Sequence, residues 1–600
     1  MRRCASSIAS FVLAVCAGAA ALAAEKNTDN QLAAQSRLNA IVASADNPLS
    51  GASLTVRRGD TIVFDGAAGC ARFKARVKRN GRQPCKRPLT RGAKMRMASI
   101  SKMAAAFAAF DLAEEDLIDL DADVSNYLGA PLRNPRYPDR PITLRQILSH
   151  TSSIRDPEEY WVAAPGDFAA LLGVPAIFAD PVEGAASRAP GDYFAYANLN
   201  YGILAAALER ASGRRFDLLV DEKVLAPLGL EAGFNWSGVS AGDRRKAAAL
   251  YRREDGVWRA QTDDDVPTKS AAPVFLAADS VDKERFLEAY EPGQNPTLFS
   301  PQGGLRASTR DIAQLLSRLE EEGGGNFGVS PETRVWRLRE DGANGDTDGG
   351  FFLEFGIGVQ RLSPAQTGHA GVQMIGHPGE AYGLYSGAWL ARDDDPETED
   401  IAIAYAVTGA SQPPAPGRAS GFNAIEERLV DLAFEIIERD DAARAKSAAG
   451  TPAHDGDQDH QSTHDEPRPY DARRDANADV NAALARAESN GTRVLLVLGA
   501  NWCHDSRGFA AYAQRPALAR LIDEAFELVY VDVGQRDRNL DVGARFGAPE
   551  LFGTPTILVL DADGRVLNRD TMHDWRTAAS KPYKAVLAYF QGFAGGDDAR

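Results

Sequence analysis

Cysteine is scarce in this 600-residue sequence, which contains only five. Small domains that depend on disulfides in place of a large core are far richer in cysteine, so that class is excluded. Basic residues are in the minority too, with 67 Lys and Arg against 83 Asp and Glu and a formal net charge of -16. Binding to nucleic acid needs a basic face that releases phosphate counterions, so we expect no nucleic-acid partner. What remains is an acidic chain of ordinary composition, long enough for roughly two to four domains.

Long apolar runs are also missing, and none of about 18 or more residues follows the N-terminal region. The chain starts with two arginines and a short apolar run over 9–24, near the end of which stands the small-x-small pattern Ala21-Leu22-Ala23. This pattern predicts a signal peptide, residues 1–23, whose apolar run is too short for a comfortable membrane anchor. Val15 before Cys16 is a poor fit to a lipoprotein box. We therefore expect export to the periplasm or the exterior, with no transmembrane span after signal removal.

Export changes the interpretation of the cysteines, because two of the five would leave with the signal peptide. Cys70 and Cys85 flank a very basic loop over 71–84. In an oxidising compartment we expect them to form a disulfide, since two free buried thiols fit poorly beside so many charges. Closing a loop of about 15 residues would contribute roughly 3 kcal/mol in the chain-entropy model. Cys503 is then left without a partner.

Composition divides the mature chain into two compact regions. Residues 30–439 alternate between helical and strand patterns and end in an amphipathic helix over 424–437. Residues 440–480 contain almost no large apolar side chains and are predicted to be a disordered acidic linker. The histidines in this linker are irregularly spaced, so we expect no metal site there. A second compact region follows over 481–600.

Three short motifs in the first region supply groups that could act on a carbonyl. Ser99-Ile100-Ser101-Lys102 begins an alanine-rich helix that looks buried, and residues three apart share a helix face. A lysine whose pKa is lowered by burial can activate a serine, although a lone match also fits an exposed serine beside a surface lysine. Tyr196-Ala197-Asn198 adds a phenol that can shuttle a proton and an amide that can hold an oxygen. Gly376-His377-Pro378-Gly379 offers a strand edge that a substrate can approach closely.

In this order the motifs resemble those of the serine β-lactamase and penicillin-binding protein family. The similarity is closest to the class C-like branch, which includes esterases, D-amino peptidases and carboxypeptidases. The stretches 117–121, 142–152 and 303–308 are also similar to family sequences, although Ser153 replaces a usual glycine. The resemblance implies an α/β multidomain protein, with a β-lactamase-type antiparallel sheet, flanking helices and an all-helical subdomain.

The resemblance also assigns the steps of an acyl transfer. Ser99 would attack a carbonyl carbon to form an acyl-enzyme, while Lys102 and Tyr196 take up and relay the proton. The backbone N–H groups of Ser99 and Glu380 would form the oxyanion hole. His150, in the similar stretch, is expected to be structural. The substrate would be a small or peptide-like acyl compound, and this chemistry needs no metal and no cofactor.

The substrate-binding groups depart from the family pattern. Asn198 would orient the substrate carbonyl, but His377 and Gly379 stand where many members have Lys-Thr-Gly, so a hydroxyl is lost and the cation depends on pH. Glu380 would repel a carboxylate if its side chain faced the cleft. We therefore expect an ester or peptide-like substrate and weak or no β-lactam hydrolysis. The alternatives are a β-lactamase or D-Ala-D-Ala carboxypeptidase acting on cell-wall-type substrates, and a non-catalytic binding protein that reuses both folds.

The second region resembles the thioredoxin fold, which is α/β. A strand over 493–499 leads into Trp502-Cys503-His504-Asp505-Ser506 and a helix, and a Thr554-Pro555 turn precedes a strand over 557–560. The resemblance implies that Pro555 is a structural cis-proline. Cys503 is a redox candidate, because a helix N-terminus favours its thiolate. Ser506 replaces the second cysteine, so a dithiol cycle cannot be completed. A monothiol site and a degenerate domain that binds a protein partner both remain open, and the second is slightly favoured.

Overall fold

The computed structural model divides the chain into two compact units, Met1–Pro452 and Ala453–Arg600. The predicted signal peptide lies outside the residues that the structure describes. No helix within the described part of the chain is long and apolar enough to cross a membrane. The residues described are 30–44, 47–78, 83–179, 187–321, 335–392, 399–411, 413–449, 467–534, 536–548, 551, 553–569, 571–575, 578, 581 and 583–594.

A nine-stranded antiparallel sheet forms the centre of the first unit, as the family resemblance predicts. Its first strand pairs with its last, so the two ends of the unit meet in the middle of the sheet. In spatial order the strands are Cys85–Pro88, Thr61–Phe73, Gly51–Arg58, Ile401–Thr408, Leu384–Arg392, Gln373–Ala381, Gln360–Leu362, Glu354–Phe355 and Trp336–Arg337.

Both faces of this sheet are covered, because side chains alternate along each strand. Along Ile401–Thr408, the even-numbered alanines face the large core of the helical subdomain, and Ile403, Tyr405 and Val407 face a second core under the helices 30–42 and Ala424–Ala449. The remaining helices of the unit are Ser101–Glu114, Ser125–Leu128, Leu144–Leu148, Ala169–Leu172, Leu199–Ser212, Phe216–Val220, Ala241–Lys246, Lys283–Glu288, Thr309–Leu315, Ser317–Glu321 and Pro364–Thr367.

Smaller elements complete the unit. Two short sheets lie outside the large one, and single turns of tighter or wider helix occur at four places. The short strands are Met95–Arg96, Leu305–Ala307 and Gly233–Phe234 in one sheet and Leu250–Glu254 with Val257–Thr262 in the other; the single turns are Ala98–Ile100, Pro175–Ile177, Asp221–Leu225 and Pro296–Phe299.

The two longest helices of the helical subdomain pack closely because alanines line both of them. Ser101–Glu114 contributes Ala104–Ala109 and Leu199–Ser212 contributes Ala205–Ala207, all buried in the same core. Alanine favours the helix and lets two backbones approach, and this packing buries the start of the first helix. Lys102 therefore lies in the interior and not at the surface.

Helices occupy both ends of the predicted linker 440–480. The closing helix continues to Ala449, since Arg58 pairs with Asp440 and Asp441 beyond the last apolar turn. At the other end, Tyr470 is buried with its N–H bonded to Asn501 Oδ1 at 3.1 Å. Composition misplaced both ends, because these segments are held by ion pairs and hydrogen bonds and contain few apolar residues. The three linker histidines lie outside the described residues.

The second unit has a three-stranded mixed sheet with helices around it. Arg493–Gly499 lies in the middle, parallel to Phe526–Asp532 and antiparallel to Thr556–Leu560. Beyond the last strand, Leu560 pairs with Val566 in a single bridge. The Thr554–Pro555 peptide bond is cis. The helices are Ala476–Asn490, His504–Ala513, Pro516–Ala525, Leu540–Arg545 and Tyr583–Ala594.

Candidate active site

Ser99 lies in a single tight turn, Ala98–Ile100, directly before the helix Ser101–Glu114. Ala98 has a φ of 47°, which a residue with a Cβ rarely adopts. The Lys102 ammonium nitrogen is 3.0 Å from Ser99 Oγ. The structure therefore brings together the two residues that the sequence paired, one on the turn and the other in the first turn of the helix.

Lys102 is fully buried and has three oxygen neighbours. Besides Ser99, its Nζ donates to Asn198 Oδ1 at 2.9 Å and to the Gln302 carbonyl oxygen at 3.0 Å. Burial lowers the pKa of Lys102 to about 7; the Asp156 carboxylate acts in the opposite sense and the Arg96 charge adds to the lowering. A substantial neutral fraction at neutral pH gives this lysine a lone pair that can take a proton from Ser99.

Tyr196 and His377 lie on the other side of the nucleophile. The Tyr196 hydroxyl is hydrogen-bonded to Ser99, and it is 3.5 Å from His377 Nε2. His377 Nδ1 lies against the Pro378 carbonyl oxygen, which can only accept, so Nδ1 carries the proton and Nε2 accepts from Tyr196. Burial and the Lys102 charge lower the pKa of His377 to about 3, so the imidazole is neutral at physiological pH. Burial raises the pKa of Tyr196, which keeps the phenol protonated.

His150 supports the Tyr196 ring, in agreement with the structural role predicted for it. The two rings are stacked with centroids 4.2 Å apart. His150 Nδ1 accepts from the Ala197 N–H at 3.1 Å and faces Asn200 Nδ2 at 3.2 Å. Burial holds the pKa of His150 well below its usual value, so this ring is neutral as well. No contact with Ser99 or Lys102 accompanies these, and the ring fixes the segment that carries Tyr196.

Asp156 orients Asn198, and the sequence argument missed it. One carboxylate oxygen accepts from the Asn198 N–H and Nδ2, each at 2.9 Å, and the other accepts from the Leu199 N–H at 2.8 Å. A carboxylate at the start of the helix Leu199–Ser212 also interacts favourably with its dipole. The available signal was an acidic residue just after the family-like stretch 142–152.

Gly379 lets the strand Gln373–Ala381 approach the turn Ala98–Ile100 closely. A Cβ on Gly379 would lie 2.7 Å from the Met97 carbonyl oxygen and closer still to Ser386 Oγ, so only glycine fits. Ser386 joins the two elements by donating to the Met97 carbonyl at 3.0 Å. The same Cβ position is 3.3 Å from the Ser99 nitrogen, which places that N–H at the strand edge where the oxyanion hole is predicted.

The Glu380 side chain lies on the other face of this strand. The Tyr385 hydroxyl donates to Glu380 Oε1 at 3.4 Å, and the Tyr385 ring belongs to the core under the helix Ala424–Ala449. Side chains alternate between the two faces of a strand. Gly379 faces Ser99, so the side chain of the next residue, Glu380, points away from it. The repulsion that was expected if this carboxylate faced the cleft therefore does not operate.

The predicted redox residue of the second unit lies at a helix start. Cys503 is the N-cap of His504–Ala513, and its Sγ is 3.1 Å from the Thr554 carbonyl oxygen, beside the cis-proline. Ser506 is buried where a second cysteine would stand. In the first unit, Cys70 and Cys85 are joined by a disulfide between neighbouring strands. Within the described ranges, no three His, Cys, Asp or Glu side chains are grouped as ligands for a metal.

Comparison with known proteins gives matches to both units. The family model described as Beta-lactamase matches residues 37–425, and the one described as Thioredoxin-like matches residues 475–562. Esterase EstB of Burkholderia gladioli is 28% identical over 388 residues, which are 59% of this chain and 86% of that protein. D-alanyl-D-alanine-carboxypeptidase/endopeptidase AmpH of Escherichia coli K12 is 30% identical over 146 residues, which are 23% of this chain and 35% of AmpH.

Solved structures also match the chain. The D-amino acid amidase from Ochrobactrum anthropi SV3, complexed with L-phenylalanine, superimposes with a TM-score of 0.45 and 18% identity. The match covers 69% of this chain and 99% of the amidase.

Proposed function

The chain belongs to the β-lactamase family over residues 37–425 and carries a thioredoxin-like domain C-terminal to that region, and on this premise we propose that it is an exported serine hydrolase. It cleaves an ester or peptide-like acyl bond through an acyl-enzyme on Ser99. The observation that carries this proposal is the 3.0 Å contact between Ser99 Oγ and the buried Lys102 Nζ, together with a Lys102 pKa of about 7.

Acylation begins when neutral Lys102 removes the proton from Ser99 Oγ as this oxygen attacks the carbonyl carbon. The carbonyl oxygen becomes an oxyanion, which the N–H groups of Ser99 and Glu380 stabilise. The bond to the leaving group then breaks. The Tyr196 hydroxyl relays the proton from Lys102 to the leaving oxygen or nitrogen. Water attacks the acyl-enzyme by the same steps in reverse, releasing the acid and restoring Ser99.

Asn198 and His377 hold the reacting groups in place during these reaction steps. Asp156 and Lys102 hold the Asn198 amide in place, and Asn198 orients the carbonyl of the substrate. His377 accepts from Tyr196 and thereby leaves the phenol oxygen to accept from Ser99. Holding reacting groups in place accounts for a large part of catalysis by enzymes of this kind.

The preference for esters over β-lactams follows from His377. Where many family members have a lysine and a threonine, this chain has a neutral imidazole and a proline, so this position offers neither a cation nor a hydroxyl to a β-lactam carboxylate. Similarity to an esterase over most of its length is consistent with this preference. Similarity to a carboxypeptidase over a shorter stretch keeps peptide substrates in the test panel.

Export and a degenerate thioredoxin-like domain belong to the same proposal. The signal-like N-terminus and the Cys70–Cys85 disulfide support an oxidising compartment. With Ser506 in place of a second thiol, the C-terminal domain does not run a dithiol cycle and serves as a module for binding a protein partner.

The test is hydrolysis of p-nitrophenyl butyrate, nitrocefin and a D-Ala-D-Ala peptide by the purified chain. We expect ester turnover, little nitrocefin turnover, and burst labelling by a fluorophosphonate probe. Ser99→Ala should abolish all three activities and the labelling. Ser36→Ala, at an exposed serine of the helix 30–42, is the matched control and should change nothing.

Each alternative gives a different result in the same panel. Efficient nitrocefin turnover that Ser99→Ala abolishes would identify a β-lactamase, and preferred peptide cleavage would identify a carboxypeptidase. Neither turnover nor fluorophosphonate labelling of a folded chain would overturn the proposal in favour of a non-catalytic binding protein.

A further inference from the structure

Arg96 precedes Ser99 by three residues, and its side chain lies close to the backbone beside Ser99. Its Nη2 is 3.2 Å from the point that a Gly303 Cβ would occupy, and the Ala98 backbone is 3.9 Å from that point. Gly303 adjoins Gln302, whose carbonyl accepts from Lys102. The charge of Arg96 also contributes to the lowered pKa of Lys102. The guanidinium therefore lies close enough to act on the catalytic groups through space.

Arg96 has no counter-ion among the residues that the structure describes. It faces Arg306 across the small sheet Met95–Arg96 and Leu305–Ala307, and the ion pair with Asp263, at 3.0 Å, is formed by Arg306. Like charges opposite each other destabilise a sheet, so an unpaired Arg96 at this position is costly. Burial and the Arg306 charge lower the pKa of Arg96 to about 10, which still leaves the group positive at neutral pH.

The hydrogen-bonding capacity of Arg96 is largely unused as well. Nη2 donates to Ser300 Oγ at 3.2 Å, whereas the buried Nε has no hydrogen-bond partner in the described part of the chain. The guanidinium lies over the ring of Tyr382, 5.1 Å from its centroid. The Arg96 side chain is only partly buried and Tyr382 is exposed, so this part of the site is open to solvent.

We propose that Arg96 binds a carboxylate carried by the substrate of the Ser99 site, and so selects anionic acyl compounds. This assignment rests on the proposed hydrolase function. The planar guanidinium can form two parallel hydrogen bonds with a carboxylate, and the Tyr382 ring holds it in place. A bound carboxylate supplies the missing counter-ion.

The assignment explains how the site can prefer anions although the usual position for a cation is neutral. His377 carries no charge, and the Glu380 carboxylate is turned to the far face of its strand. Arg96 is therefore the cation placed to meet a negative group beside the scissile carbonyl. Its location next to Gly303 and Ser300, and not next to His377, puts the carboxylate on a different side of Ser99.

Two pairs of matched esters test the proposal. The first compares mono-p-nitrophenyl adipate with its methyl ester, which places the carboxylate in the acyl part. The second compares 3-carboxyphenyl butyrate with phenyl butyrate, which places it in the leaving group. The readout is the ratio of kcat/KM for the anionic and neutral members, because a change in Lys102 basicity affects both members equally.

For at least one pair, we expect the wild-type ratio to favour the anion about tenfold or more, as a charge-assisted hydrogen bond would. Arg96→Gln should bring that ratio to near one, and Arg96→Lys should recover part of it. Arg252→Gln is the control, because Arg252 is a positive residue packed beside the Tyr382–Gly383 turn and should leave the ratio unchanged. The unfolding midpoint of each variant shows whether it folds.

The possible failures are distinguishable. Ester turnover with wild-type ratios near one for both pairs overturns the role of Arg96 without any variant. An anion preference that survives in folded Arg96→Gln also overturns it. Absence of turnover of every ester and of fluorophosphonate labelling overturns the proposed hydrolase function, and the role of Arg96 falls with it.

Discussion

The Asp156 carboxylate holds Asn198 through two hydrogen bonds of 2.9 Å, one to its backbone N–H and one to its side-chain amide nitrogen. Asn198 Oδ1 in turn accepts from Lys102. Asp156 thus reaches Lys102, the proposed general base, through one intervening residue and also raises its pKa by its charge. It is a positioning residue with two separable effects, one on geometry and one on basicity.

Asp156→Asn should lower kcat/KM for a neutral ester by roughly 10- to 100-fold, because the new amide cannot accept all three hydrogen bonds and Asn198 shifts. The same variant should lose about 1 kcal/mol of stability, as other helix-start carboxylates do. Asp282→Asn, which alters the N-cap of the helix Lys283–Glu288, is the control and should keep full activity. Unchanged kcat/KM in Asp156→Asn would contradict the positioning role.

The pH profile should report the ionisation of Lys102. Its pKa of about 7 in the folded protein is below the ordinary value, and only the neutral amine is a base, so kcat/KM should rise with pH through about 7. Asp156→Asn removes a charge that raises this pKa and should move the limb to lower pH. Arg96→Gln removes a charge that lowers it and should move the limb to higher pH. Shifts in the opposite directions would refute the electrostatic assignment.

Gly379→Ala should reduce ester turnover by about 100-fold or more, because its methyl group would meet the Met97 carbonyl and Ser386 Oγ and push the strand away from Ser99. The measurement is kcat/KM beside the rate of fluorophosphonate labelling. Gly173→Ala, where a methyl group meets nothing within 4 Å, is the control. Near-normal labelling of Gly379→Ala would mean that the close approach is not needed for nucleophile activation.

Removing the disulfide should destabilise the first unit without touching the catalytic groups. Replacing both Cys70 and Cys85 by serine should lower the free energy of unfolding by about 3 kcal/mol, the amount expected for a 15-residue separation. Denaturant unfolding of the full chain measures this loss. Reduction of the wild type by dithiothreitol should give the same loss and have no effect on the double variant.

A single substitution should convert the thioredoxin-like domain into a dithiol enzyme if its fold is otherwise competent. Ser506 is buried one helical turn beyond Cys503, so Ser506→Cys places a second thiol where the family has one. We expect insulin reduction by this variant of the full chain and none by the wild type. Robust reduction by the wild type would contradict the degenerate assignment.

Local patterns predicted the parts of this protein that depend on neighbouring residues. The strand Arg493–Gly499 was predicted with its observed bounds. Spacing paired Ser99 with Lys102, since helix geometry alone brings residues three apart together. Both ends of the linker were wrong, because Arg58 and Asn501 hold segments whose composition carries no apolar signal.

Contacts between distant segments could not be read from the chain. Asp156 and Asn198 are 42 residues apart, and Lys102 and the Gln302 carbonyl are 200 apart, and no local rule links such pairs. The pair of like charges formed by Arg96 and Arg306 is of the same kind, since the two residues face each other only in the small sheet.

The sequence by itself therefore determined the family, the order of the motifs and the chemical types of the groups, because these are written in short runs of residues. Only the tertiary structure decided their charge states and directions. Lys102 loses its proton near neutrality because two alanine-lined helices bury it, His377 is neutral because it shares that interior, and Glu380 faces away because the strand that presents Gly379 must alternate. Ionisation and orientation depend on what surrounds a side chain, and that is settled when the chain folds.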